Sequence, residues 1–107
     1  MRALFVNANV LKNHPDAVKA FMAGHRDAVD WMYSDPKAIE MYAVKIKRSP
    51  ELIKESVAQF QPKETLQTDK MVDLEGAITD AVKLKFLEKP LTKEQIAELI
   101  QIPPRKK

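Results

Sequence analysis

Apolar residues recur along most of the chain at intervals of three and four, the spacing that gathers side chains on one side of an α-helix. From Pro15, the residues Val18, Phe21, Met22, Val29 and Met32 follow this spacing, with His25 and Ala28 filling the gap. They predict one buried stripe on a helix running to about Tyr33. A shorter helix begins near Pro36 and carries Ile39, Tyr42, Ala43 and Ile46. A third begins at Pro50, carries Ile53, Val57 and Phe60, and is closed by Pro62. In Asn13-His14-Pro15, Asp35-Pro36 and Ser49-Pro50 the proline follows a candidate capping residue, where its missing N–H is not needed and its fixed φ suits the first turn. Residues 61–68 are a polar connector. Beyond it Met71, Leu74, Ile78, Ala81 and Val82 predict a fourth helix to about Leu87, weakened by Gly76 inside it. After Pro90, Thr92-Lys93-Glu94-Gln95 has the spacing of a capping box, and Ile96, Leu99 and Ile100 form the apolar side of a short last helix.

The start of the chain, Arg2-Ala3-Leu4-Phe5-Val6-Asn7, is the one segment with strand character, short and apolar with a β-branched residue near its end. No partner strand is evident. The segment has no charged n-region, long apolar run or small-residue cleavage site, so it is not expected to be a targeting peptide. Two glycines in 107 residues leave almost nothing to occupy positive-φ turn positions, which argues against an all-β domain. The fold class expected is mainly α, about five helices with one short N-terminal strand. Residues 1–102 are expected to form a single helical domain, and residues 103–107, Pro-Pro-Arg-Lys-Lys, a disordered basic tail.

Composition narrows the function classes more than it selects one. With 45% hydrophobic and 31% charged residues the chain matches globular proteins, not disordered ones, and no apolar run approaches the roughly 20 residues of a spanning helix. A net charge of +3 and a pI near 9.2 are mildly basic, too little to imply nucleic acid. The absence of cysteine excludes disulfides, thiolate metal sites and a cysteine nucleophile.

Candidate chemistry is sparse. His25 lies on the apolar stripe, where a packed structural histidine outweighs a base or ligand, and Val29, not a carboxylate, stands four residues on. His14 sits at a helix start, three turns away at best, so the two cannot share a metal on one helix. Asp27, Asp30 and Asp35 could form an acid/base or hard-cation group, but a solvated helix face explains them better. Trp31, Tyr33 and Tyr42 could wall a ligand, though aromatics at helix positions more often pack. Lys45, Lys47 and Arg48 complement a helix C-terminus, and Arg105-Lys106-Lys107 adds solubility. No phosphate loop, nucleophile elbow or paired-histidine zinc motif is present, so no catalytic, cofactor-binding or metal residue is assigned and no enzyme activity or cofactor is expected.

The run Leu4-Phe5-Val6-Asn7-Ala8-Asn9-Val10-Leu11-Lys12-Asn13-His14-Pro15-Asp16-Ala17-Val18-Lys19-Ala20-Phe21 resembles a phrase of periplasmic solute-binding proteins of ABC importers, in the nitrate, sulfonate, taurine and thiamine-precursor group. The resemblance continues through Ala28-Val29-Asp30-Trp31, Asp35-Pro36-Lys37-Ala38 and Ser49-Pro50-Glu51-Leu52 to the run from Phe86 to Ile96. It implies the C-terminal helical portion of a type II periplasmic-binding-protein fold, a fragment unlike a complete two-lobe protein and not expected to bind ligand alone. It also implies a small anionic or nitrogen- or sulfur-containing solute and an ABC permease as partners of the full-length protein, and a periplasmic location. A detached helical layer exposes the face its sheet would cover, so self-association through stripes around Phe21, Met22, Ile78 and Val82 is expected. The alternative is a free-standing helical module that binds a partner helix.

Overall fold

The computed structural model describes residues 3–105. Among these there are seven helices and no strand: α1 (Ala8–Asn13), α2 (Pro15–Ser34), α3 (Pro36–Ile46), α4 (Pro50–Phe60), α5 (Lys63–Leu66), α6 (Leu74–Lys83) and α7 (Lys93–Leu99). The mainly helical class is as expected. The N-terminal strand is not: residues 3–7 have no regular structure, and Arg2 lies outside the described residues. A strand needs a ladder partner, and none occurs among the described residues. Instead Asn7 caps α1, its side-chain oxygen accepting from the Asn9 amide at 2.9 Å, and Phe5 stays 94% exposed.

The three proline starts fall where expected, with Pro15, Pro36 and Pro50 opening α2, α3 and α4. His14 separates α1 from α2 without a side-chain cap, its backbone amide donating to the Val10 carbonyl. Asp35 alone separates α2 from α3 and serves both. Its amide donates to the Trp31 carbonyl at 3.0 Å, and its Oδ1 accepts from the Lys37 amide at 2.9 Å. Ser49 caps α4 through the Leu52 amide. The connector 61–68 contains one extra turn, α5, started by Pro62.

With so few glycines, the chain makes its left-handed turns with other residues. Lys47 (φ 56°), Asp73 (φ 54°) and Lys85 (φ 64°) all take positive φ. Behind Lys47, the Arg48 amide donates to the Ala43 carbonyl and the Lys47 amide to Val44. Behind Lys85, the Phe86 amide donates to Ala81 and the Lys85 amide to Val82. Both are Schellman closures, which normally use glycine at the left-handed position. The fourth helix is shorter than its periodicity suggested, leaving Met71 and Leu87 outside. Gly76 now has a reason: its amide donates to the Asp73 carboxylate at 3.2 Å, and a Cβ there would meet that carboxylate at 2.5 Å.

The described residues divide into two compact units, one ending at Thr68 and one beginning at Asp69. In the first, α2 packs against α1, α3 and α5, and α3 packs against α4. Its core is small: Val29, Ala38, Ala43 and Ile53, with Arg26 also buried. Lys63 of α5 reaches Asp30 of α2 at 2.7 Å, an exposed pair worth at most about 1 kcal/mol. In the second unit no described residue is fully buried. There Thr92 and Gln95 complete the expected capping box on α7, and Arg105 pairs with Asp69 at 2.8 Å. Lys106 and Lys107 of the expected tail lie outside the described residues.

Two outcomes follow from the helix ends. Lys47→Gly removes a side chain from a left-handed position and should stabilise the first unit by about 1 kcal/mol, read by urea unfolding. Glu94, exposed in the first turn of α7, has its carboxyl held below the ordinary 4.5 by its own backbone amide and then by Thr92. A depressed carboxyl contributes stability above 4.5 that is lost as pH falls through its folded value. Its NMR titration midpoint should therefore lie below 4.5, and Thr92→Ala should move it upward.

Candidate interaction surface

Helix α2 carries apolar residues on more of its circumference than its neighbours cover. At about 100° per residue, Val18, Met22, His25, Val29 and Tyr33 point one way, and these are buried or half-buried. The charged residues Asp16, Lys19, Arg26, Asp27 and Asp30 lie together on one side of that face. On the other side lie Ala17, Phe21, Gly24, Ala28, Trp31 and Met32, all exposed, within an arc of roughly 120°. The single buried stripe expected from the sequence is thus corrected. Phe21 is 63% and Met32 43% exposed, because the apolar arc is wider than α1, α3 and α5 can cover.

Trp31 on this outer face is fixed in place. Its indole Nε1 donates to Asp35 Oδ2 at 3.2 Å, while Oδ1 of the same carboxylate caps α3. Gly24 sits mid-face, and a Cβ built there meets nothing within 4 Å. A glycine in a helix interior costs about 1 kcal/mol relative to alanine, and nothing within the chain requires it.

Two concavities lie in the same unit. One, of about 180 Å³, is an apolar cleft among α2, α3 and α4, floored by Ala38 and Ile53 and walled by Met32, Tyr33, Tyr42 and Val57. The Tyr33 hydroxyl closes one end by donating to the Gln61 carbonyl. The other, of about 370 Å³, is lined by Ala3, Leu4, His25, Leu66, Gln67 and Thr68. His25 Nδ1 and Thr68 Oγ1 are buried without a hydrogen-bond partner.

The residues singled out from sequence are dispersed. Asp30 goes to Lys63 and Asp35 to the cap and Trp31, so the three carboxylates do not act as one group. No group of three or more metal-ligating side chains occurs among the described residues. Tyr33 and Tyr42 share the cleft, whereas Trp31 faces outward. Lys45, Lys47 and Arg48 sit at the end of α3, where Lys47 and Arg48 supply the closing amides. Met22, Ile78 and Val82 are half-buried, unlike Phe21. The Tyr33–Gln61 bond joins residues 28 apart and had no local signal in the sequence. Glycine at position 24, between Phe21 and Ala28, was the readable sign of the outer face.

No protein-family model matches the chain, and neither does any curated protein or solved structure. No helix among the described residues is long and apolar enough to cross a membrane.

Asp35→Ala removes a helix cap and the Trp31 tether together. It should cost about 1–2 kcal/mol in unfolding free energy and broaden and shift the Trp31 emission, whereas Asp27→Ala should do neither.

Proposed function

We propose that the chain is a helical protein-interaction module, in which α2 is the scaffold of the first unit on one side and a docking face on another. The exposed, charge-free outer face of α2 is the observation that carries this reading. Solvent-facing helix surface is normally polar, and a continuous apolar face with a pinned aromatic residue is the kind of surface a partner helix covers. No catalytic role is part of the reading.

A second reading keeps the chain as the C-terminal helical part of an ABC-importer solute-binding component for a small anionic or nitrogen- or sulfur-containing solute. The ordered phrases that resemble those of that family favour it, and a sheet layer would then be what covers the apolar face. It places the protein in the periplasm, with the permease as partner of the full-length form.

Both readings are separated in the producing cell by a photo-crosslinking amino acid at position 21 and an antibody to this chain. The module reading expects a discrete adduct of the 12.2 kDa chain with another polypeptide or with a second copy. Loss of the adduct on adding Trp31→Glu is also expected. Bands that stay at 12.2 kDa after irradiation contradict it. A periplasmic band far heavier than 12.2 kDa before irradiation supports the solute-binding reading instead.

A further inference from the structure

We infer that the occupant of the outer face of α2 is a second copy of this chain, paired antiparallel with Phe21 of each copy against Gly24 of the other. This rests on the interaction-module reading and names its partner. The residues Ala17, Phe21, Gly24, Ala28 and Trp31 repeat at intervals of four, three, four and three, the 3.5-residue period of a helix–helix seam, whereas the core side of α2 has its own separate set. Every residue of the seam is exposed, and Trp31, which also bonds within the chain through Asp35, keeps 39% of its surface open.

The order of sizes sets the direction of pairing. A parallel pair places like on like, Phe21 on the partner's Phe21 and Gly24 on the partner's Gly24, leaving one layer overfilled and the next empty. The antiparallel pair places Phe21 against the partner's Gly24 and Ala17 against the partner's Ala28. Such an interface is isologous, the same patch on both copies, and closes at two subunits. It also gives Gly24 a role, because the missing Cβ makes room for an aromatic ring and the chain itself puts nothing there.

Asp27, the charged residue nearest the seam, lies beside the partner's Ala20, and the two Asp27 side chains stand about 13 Å apart along the axis at 1.5 Å rise per residue. The partner's Asp16 comes level with Asp27 on the flank of the pair, where both side chains are exposed and their repulsion is screened by solvent. The exposed area is that of a small interface. Phe21, Trp31 (39% exposed) and Met32, with the small positions between them, offer on the order of 500 Å² per copy. The pair covers about 1,000 Å², the lower bound of a specific interface, so the dimer should be reversible at micromolar concentrations. The Asp35 tether holds Trp31 in place before binding, which lowers the ordering cost.

Sedimentation equilibrium of the full chain from about 1 to 200 µM is the test, with the concentration range chosen for an interface of this size. The expected result is a mass rising from 12.2 kDa toward twice that value. Phe21→Glu and Gly24→Leu should each weaken association at least tenfold while the helical circular dichroism is unchanged. Phe60→Glu, at an exposed residue of α4 off the seam, should leave association as it was. A wild-type chain that stays at 12.2 kDa at 200 µM overturns the inference, as does a dimer that survives both seam variants or is lost equally with Phe60→Glu. A monomer here together with a crosslinked adduct to a different polypeptide in cells overturns only the second copy and leaves the module reading in place. A monomer with no adduct overturns both.

Discussion

Everything in the first unit depends on one 20-residue helix having more apolar circumference than it can bury. Three helices pack on α2, yet its buried residues are only Arg26 and Val29. Four apolar residues among those described are buried, and hydrophobic stabilisation scales with the area withdrawn from water. A core this small leaves the unit close to the margin at which small domains stand alone. Covering the outer face of α2 withdraws further apolar area without changing any contact inside the unit.

The helix ends show how the chain is held in register. Proline opens three helices, side-chain caps from Asn7, Asp35, Ser49, Asp73 and Thr92 satisfy first-turn amides, and lysines close two helices in left-handed conformation. These devices are local, each within a few residues, and none depends on a distant partner. Glycine is spent at two places only. At Gly76 it lets the Asp73 carboxylate approach the helix start, and at Gly24 it leaves a place on the outer face of α2 where a Cβ would meet nothing within 4 Å.

That locality explains what was readable in the sequence. The starts at Pro15, Pro36 and Pro50 and the box at Thr92 could be placed because cap, proline and apolar period all sit within one or two turns. The strand assigned to residues 2–7 failed over its described part because strand pairing is a long-range property, and Asn7 was in fact the cap of an unforeseen helix. The turn at α5 was hidden in a polar connector for the same reason, since its packing on α2 is not written in its own four residues. Phe21 and Met32 were assigned to the buried stripe by spacing alone. Periodicity gives the angle of a side chain on its helix but not which angles the neighbours cover. The pairing of Asp30 with Lys63 and of Tyr33 with Gln61 depends on how α5 and its flanks return to α2, which no local pattern encodes.

The central claim is that α2 is at once the scaffold of its unit and the face a partner covers. Amide hydrogen exchange, followed residue by residue at low and high protein concentration, tests it most directly. The account predicts that the α2 amides around Val29 are the slowest to exchange in dilute protein, and that raising the concentration slows α2 further while α6 is unchanged. Exchange in α2 that is no slower than in α6, or that does not respond to concentration, would contradict it.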